Sequence, residues 1–477
     1  MTVLSLRHLC ASLLALFLVM LDAQAATVIR AATVHDGNGG VLEDAAIRIE
    51  GDRIACIGSQ VQCLAMPGDE IVEVAGRFIA PGLVDAHVHF GQTGWLDGRP
   101  HWPFVKRFYD YEKLQNDLSR NPDRWHRAYL CSGITAVYDV GGLPWTTSMT
   151  TMDNIGDSAL LRAHVRAAGP LITHARVPDL VANGNDTFLP MSSDEEALAG
   201  VAQLVEWGAD AVKVWYLDPP ADQREELDRR LMRIGEAARK HGLPLVVHAT
   251  ELRNAKMALK AGAAALVHSV EDALVDREFL ALAQAGDVVY MPTLMVGANW
   301  RRARASVGLG VVPPIDDPNG CVDAGTRDVI AQASALQDAA PQSWRDVNAV
   351  FESLEQTGTD LSMMQRNLMR VHEAGITIAT ATDAGNPLTL HGPSIYAEME
   401  AMQAAGISPA EVMIMSTRNG ARAMGLIDEI GTLAPGKIAD MLILEQDPAE
   451  SAEAFRSITH VMRAGVLQKI SEIAPSH

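Results

Sequence analysis

The chain has 477 residues, 48% of them hydrophobic and 5% aromatic, with a formal net charge of −20. That length exceeds what one small core needs and points to a large barrel or to two domains. The acidic balance argues against nucleic acid or an anionic membrane as a partner and says little else; the expected partner, a small-molecule substrate, rests on the motifs below.

In chain order, the first stretch reads as a targeting segment. Arg7 and His8 precede the apolar run Leu9 to Leu21, and Ala23-Gln24-Ala25 follows. This is a basic n-region, an h-region too short to span a bilayer and an A-x-A cleavage site. Residues 1–25 are therefore expected to be removed after Ala25, which places the protein in the periplasm or outside the cell. No cysteine follows the site, so a lipoprotein anchor is not expected, and no other segment is long and apolar enough to span a membrane. Cys10 leaves with the signal, while Cys56, Cys63, Cys131 and Cys321 remain without a Cys-x-x-Cys pattern. Export permits disulfides. Cys56 and Cys63 flank the turn Gly58-Ser59-Gln60, which leaves a bond between them or two separate half-buried thiols.

From Thr27 to about Ala80 the pattern is β. Val28–Val34, Ala45–Glu50 and Arg53–Gly58 are short apolar runs separated by the turn formers Asp36-Gly37-Asn38-Gly39 and Gly51-Asp52. Ile438–Leu444 and Ile458–Arg463 repeat that pattern near the other end. Residues 26–80 and 430–477 together are expected to form a small β-sandwich domain around a central segment, 81–429.

The central segment opens on Ile79 to Phe90, an apolar strand ending in His87 and His89. Successive strand residues face opposite sides, so two histidines spaced by one residue project together and can share a transition metal. Further strand candidates are Ile134–Asp139, Val165–Gly169, Ala211–Tyr216, Leu245–His248, Ala265–His268, Val288–Met291 and Ile376–Asp383. Helical stretches such as Ser193–Trp207, Gln223–His241 and Leu252–Ala261 lie between them. Eight β–α repeats predict an α/β fold of the (β/α)8, TIM-like barrel type, with its chemistry at the C-terminal strand ends. His87, His89, Lys213, His248, His268 and Asp383 all fall there. Residues 299–358 break the rhythm after the seventh strand and read as a lid, an oligomer contact or an insertion without function. A homo-oligomer is compatible with that reading.

These pieces together resemble the amidohydrolase superfamily, and within it the imidazolonepropionase-like group that includes lysine-containing Xaa-Pro and acyl-amino-acid dipeptidases. The resemblance is carried by Pro81 to His89, Gly133 to Val137 with Asp139-Val140-Gly141-Gly142, and Gly208 to Val214. It continues through Val247-His248-Ala249, His268-Ser269, Thr382-Asp383-Ala384-Gly385 and Gly431 to Asp440, and so spans nearly the whole mature chain. It implies two divalent metal ions, with zinc the expected metal. His87, His89 and Asp383 would bind one and His248 and His268 the other, with Lys213 bridging them as a carbamate. Desolvation of Lys213 would favour the neutral amine that reacts with carbon dioxide; an ordinary ion pair with Asp139 is the alternative. It further implies attack of a metal-bridging hydroxide on an amide bond, with Asp383 as the catalytic proton shuttle.

Two positions depart from the group. His248-Ala249-Thr250-Glu251 stands where the dipeptidases often have His-Ala-Tyr, and Tyr138 precedes Asp139-Val140-Gly141 where arginine is often found. Tyr138, Thr250, Glu251 and His391 are the candidate substrate contacts, with barrel packing as the alternative for Tyr138. Trp215 and Tyr216 are either pocket walls or packing residues, and His101, His126, His164, His174, His241, His372 and His460 read as surface or packing histidines. The expected function is an exported dinuclear hydrolase of a dipeptide or N-acyl amino acid. One alternative is a mononuclear deaminase or cyclic-amide hydrolase using Glu251. Another is a non-catalytic ligand-binding barrel, which the filled ligand positions disfavour.

Overall fold

The computed structural model describes residues 25–97, 104–152, 162–175 and 187–475. The segment read as an export signal lies outside them except for Ala25, as does His101. Both chain ends enter one mixed sheet. Its early strands are β1 (Thr27–His35), β2 (Val41–Glu50), β3 (Arg53–Ser59), β4 (Glu70–Glu73) and β5 (Phe78–Pro81). The central segment supplies β6 (Leu83–Val88), β7 (Ile134–Asp139), β8 (His164–Ala167), β9 (Leu171–Thr173) and β10 (Phe188–Pro190). It continues with β11 (Val212–Trp215), β12 (Leu245–His248), β13 (Ala265–Val267), β14 (Val289–Met291) and β15 (Thr377–Ile378). The chain returns to the terminal sheet with β16 (Met441–Leu444), β17 (Ile458–Arg463) and β18 (Val466–Lys469).

The terminal sheet has eight strands in the order β18-β17-β16-β5-β1-β2-β3, with β4 branching from β1. It joins because β16 pairs antiparallel with β5, setting Met441 opposite Pro81 and Leu444 opposite Phe78. Ile29, Ile47, Ile79, Met441 and Ile443 form its buried cluster.

The central strands make two parallel sheets, β6-β7-β8 and β10-β9-β11-β12-β13-β14-β15. Helices such as Asp194–Glu206, Arg224–Lys240 and Leu252–Lys260 connect the strands; the first two are one residue shorter at each end than the periodicity predicts, and the third is one shorter at its C-terminal end. The two sheets are joined on both sides by backbone bonds. Asp210 N–H donates to Ala167 O at 2.8 Å, and Ala86 N–H to Thr380 O at 3.0 Å. Asp383 N–H donates to His87 O at 2.8 Å and His89 N–H to Ala384 O at 2.9 Å. Small and β-branched side chains from both sheets, among them Ala86, Ala136, Ala168, Ala211, Val246, Val267 and Ala381, make one buried cluster. A larger cluster lies between the strands and their helices.

The expected strand Ile376–Asp383 is reduced to Thr377–Ile378. Beyond it the chain bonds to β6 without regular pairing, and Asp383 itself takes φ +63°. The expected limits of the insertion, 299 and 358, fall inside the helices Val296–Leu309 and Val347–Glu373. Cys321 in this segment is bonded to Cys131 at the end of the helix Asp123–Cys131, a pairing 190 residues apart that nothing local announces. Cys56 and Cys63 are also bonded.

The terminal sheet is fastened to the central segment by a buried ionic cluster. His164 Nε2 lies 2.9 Å from Asp440 Oδ2, and Arg463 Nη2 lies 3.0 Å from His164 Nδ1. His164 is therefore not the unpartnered packing residue expected of it. Gly133, at φ +78°, abuts the terminal sheet so closely that a Cβ would sit 2.5 Å from Ile458 Cδ1.

Candidate metal centre

Six side chains approach one cavity from the C-terminal ends of the central strands: His87, His89, Lys213, His248, His268 and Asp383. Strand alternation places the first two. Leu83–Val88 is wholly buried, so it runs through the core, and strand alternation sets His87 on the same side as His89, which follows the strand. Their Nε2 atoms are 3.2 Å apart. Asp383 Oδ1 lies 2.8 Å from His89 Nε2 and 3.4 Å from His87 Nε2. His268 packs on both neighbours, with ring centroids 5.1 Å from His87 and 4.5 Å from His248, and its Nδ1 stands 3.9 Å from Asp383 Oδ2.

The protonation pattern fits metal ligation. His89 Nδ1 is 2.5 Å from the carbonyl of Gly141, which can only accept, so Nδ1 carries the proton and Nε2 presents a lone pair toward Asp383. Burial lowers the pKa of His87 and His268 well below the usual histidine value and that of His248 to about 3, with the Lys213 charge adding to each. Neutral imidazoles are the ligating form. Asp383 Oδ1 is buried and receives no conventional hydrogen bond, which leaves it free for a cation. His87, His89 and Asp383 thus form a group that could hold a metal ion.

Lys213 is 2% exposed. Burial drives its pKa down to about 7, against the opposing pull of Asp383 and Asp139. Among the described residues no ion pair joins Lys213 to a carboxylate. Asp139, its expected partner in the ordinary reading, instead accepts the N–H groups of Phe90 at 2.9 Å and Gly141 at 3.1 Å. Burial thus favours the neutral amine, the form that can react with carbon dioxide.

The backbone is strained where the ligands sit. His268 (φ +75°), Asp383 (φ +63°) and Thr293 (φ +44°) occupy left-handed conformations, which cost about 1–3 kcal/mol each. Thr293 Oγ1 lies 2.8 Å from His268 Nδ1, so the strain aims one side chain at another. Asp85 holds the other edge. Its Oδ1 accepts from His87 N–H at 3.2 Å and Thr382 N–H at 3.0 Å, and its Oδ2 accepts from the Thr382 hydroxyl at 2.5 Å. Burial lifts its pKa to about 7. Glu398, also fully buried, accepts from the N–H groups of Leu294 and Met295 and so anchors the start of the helix Val296–Leu309.

Of the expected substrate contacts, Thr250 lines the cavity. Three others, Tyr138, Glu251 and His391, are not among its lining residues. Tyr138 points with Ala136 and Val140 into the buried cluster between the sheets, so it is a packing aromatic. Glu251 precedes the helix Leu252–Lys260, and its Oε2 accepts from Asn254 Nδ2 at 2.9 Å, outside the cavity wall. His391 Nε2 is bonded to the carbonyl of His89 at 3.1 Å, and its ring stacks on Trp125 at 3.9 Å. It supports the backbone of the candidate ligand His89. Trp215 lines the cavity, whereas Tyr216 is turned away to donate to Asp228 Oδ1 at 2.6 Å.

The cavity measures about 340 Å³, within the range of small-molecule sites. Tyr111, Leu143, Phe188, Glu271, Trp300 and Asn386 also line it and were not legible as site residues. All but Phe188, which opens the short strand β10, lie on loops or helices, where the β–α rhythm does not single out site residues.

Fold and site together define a hydrolase built on parallel strands with a histidine–aspartate metal group. The model of the Amidohydrolase family matches residues 78–467, and the chain belongs to that family, on its imidazolonepropionase-like side. It is an enzyme, a hydrolase of carbon–nitrogen bonds. The imidazolonepropionase of Rhizorhabdus wittichii is 26% identical over 444 residues, covering 87% of this chain and 92% of that protein. Among solved structures, a Xaa-Pro dipeptidase with bound methionine in its active site shares the fold. Its TM-score is 0.69 at 21% identity, covering 93% of this chain and 100% of that one. A putative prolidase from Bifidobacterium longum does likewise, with TM-score 0.67 and 21% identity over 95% of this chain and 96% of that one.

Proposed function

We propose that the protein is an exported amidohydrolase that holds two divalent metal ions and cleaves an amide bond in a dipeptide or N-acyl amino acid. The observation that carries this reading is the convergence of all six expected ligands on one cavity. His87, His89 and Asp383 would hold one ion, and His248 with His268 the second. Lys213 in the same cavity favours two ions over one, because a single-ion centre has no need of a carbamate. Lys213, kept partly neutral by burial, would carry the bridging carbamate. Zinc suits this set of nitrogen and oxygen donors. The ions, when bound, would supply Lewis acidity to water and to the substrate carbonyl.

Asp383 then does the proton work. Its Oδ1 faces His87 and His89, and its Oδ2 accepts a proton from the attacking water and returns it to the leaving nitrogen. Gly385 keeps this carboxylate close to the histidine strand. A Cβ there would lie 2.8 Å from His89 O.

The finer architecture belongs to the same reading: β6–β8 with β11–β15 as one closed eight-stranded barrel within residues 81–429, and the terminal sheet as a sandwich from 26–80 and 430–477. Export with cleavage after Ala25 is supported by Ala26. Its nitrogen lies 3.1 Å from Asp69 Oδ1, where a new amino terminus would meet a carboxylate. The segment after β14 acts as a lid in this account, because Val296, Gly297 and Trp300 form part of the cavity wall. The dipeptidase and prolidase neighbours support the substrate class. The placement of Glu251 outside the wall argues against the deaminase alternative.

The test is a panel of dipeptides and N-acyl amino acids scored for amine release by wild type and Asp383→Asn. The reading expects release by the wild type and a loss of about 10²–10⁴-fold in the variant. Full activity in Asp383→Asn, or no release across the panel, would refute it.

A further inference from the structure

Glu271 is the one carboxylate besides Asp383 in the cavity wall, among the described residues. It stands three residues after His268, in the loop leading to the helix Arg277–Ala285. Its backbone N–H donates to Thr250 O at 2.8 Å, which locks this loop to the one after β12. Its position relative to the metal ligands is therefore fixed by two adjacent strands. No hydrogen bond or ion pair engages its side chain among the described residues. The nearby guanidinium of Arg301 is committed to Asp360, with Thr357 Oγ1 at 3.5 Å. The carboxylate is open to the cavity, yet its pKa is raised, first by burial and then by the charge of Asp360. Glu251 and Asp272 add to the rise, and Arg301 opposes it.

Part of the same cavity lining is apolar and aromatic. Phe188 and Trp215 pack together with ring centroids 5.4 Å apart, and both line the cavity with Leu143, Leu171 and Val296. Trp300 completes the wall. Arg304 lies over this ring at 5.3 Å, so Trp300 offers its apolar edge more than a free face. Aromatic faces attract organic cations, and a carboxylate with no internal partner in a low-dielectric wall attracts them more strongly. An anionic or neutral group placed there would leave Glu271 uncompensated.

We propose that Glu271 is a specificity residue that receives a protonated amino group of the substrate while Phe188 and Trp215 take its apolar body. This deepens the hydrolase reading and rests on it for the position of the scissile bond. Binding can be tested without turnover. Benzyltrimethylammonium carries a fixed positive charge and no lone pair, so it cannot ligate a metal; benzyl alcohol is its neutral counterpart. Calorimetric titration of the full-length mature holoenzyme should show the cation binding at least tenfold more tightly than the alcohol. Glu271→Gln should weaken the cation at least tenfold and change the alcohol less than twofold, with circular dichroism and metal content unaltered. Equal binding of both ligands, or a Glu271→Gln protein that binds the cation as wild type does, overturns the proposal.

A paired panel of amides with and without a protonated amino group separates the two levels of the argument. Cleavage of both kinds at equal kcat/KM, with no effect of Glu271→Gln, refutes the specificity role and leaves the hydrolase reading standing. Glu271-dependent cation binding without cleavage of any amide refutes the hydrolase reading and upholds the cation site.

Discussion

The bond between Cys131 and Cys321 should contribute more to stability than the bond between Cys56 and Cys63, and the difference can be worked from the chain. A cross-link restricts the unfolded ensemble in proportion to the logarithm of the loop it closes. The separations are 190 and 7 residues. In the chain-entropy model these correspond to about 5 kcal/mol and about 2 kcal/mol at 25 °C. For the roughly 425 described residues the unfolding entropy is about 0.9 kcal/mol per kelvin, so the expected falls in Tm are about 6 °C and about 2 °C. The assay is thermal unfolding of the Cys131→Ala/Cys321→Ala and Cys56→Ala/Cys63→Ala proteins beside the wild type, under non-reducing conditions. Cys321 also tethers the segment that brings Trp300 to the cavity, so the first variant should lose affinity for cavity ligands as well. A fall in Tm for the long-loop variant no larger than for the short-loop variant would refute the reasoning.

Three further outcomes follow from particular contacts. Asp440→Asn removes the buried carboxylate that serves His164 and Arg463, and should cost about 3–5 kcal/mol by urea unfolding. Burial pushes Asp440 up, but Arg463 and His164 outweigh it and hold its pKa below the usual carboxylate value of 3.8. Its stabilisation is therefore present above that value and lost as pH falls through the lower folded value, so the variant should have a flatter acid limb below about pH 4. Gly385→Ala places a Cβ against His89 O and Gln92 Cβ at φ +108°, and should reduce both bound metal and activity about tenfold or more, while elemental analysis near the wild-type value would contradict this. Glu251→Gln should leave kcat/KM within about twofold, since the carboxylate only bonds Asn254 at a helix start; a loss of several orders of magnitude would revive the deaminase alternative.

What the chain discloses by itself follows from the range of the interactions. His87 and His89 are legible because strand alternation is a local rule, and β7 and β12 are found at their expected limits, Ile134–Asp139 and Leu245–His248, because each is a short, mostly apolar run that stops at a polar residue. The same rule gives the parity of Tyr138 but not its surroundings. It shares a face with Ala136 and Val140, and only the packing of the second sheet shows that this face is filled. Asp383 was legible through the resemblance, although its strand was overextended. The chain after Ile378 trades regular pairing for bonds to β6, and a left-handed residue has no signature when it is not glycine. Cys56 and Cys63 flank a turn and could be weighed as a pair. Cys131 and Cys321 could not, because 190 residues separate them. Glu271 and Trp300 stayed invisible for the same reason, since loops take their geometry from strands distant in sequence.

The most direct test of the central claim is tightly bound metal per chain, measured by elemental analysis of wild type and Lys213→Ala produced with added bicarbonate. The account predicts two ions in the wild type and a marked loss in the variant, with His87, His89 and Asp383 retaining at most one. One ion in both proteins, or none in either, would contradict the carbamate-bridged centre.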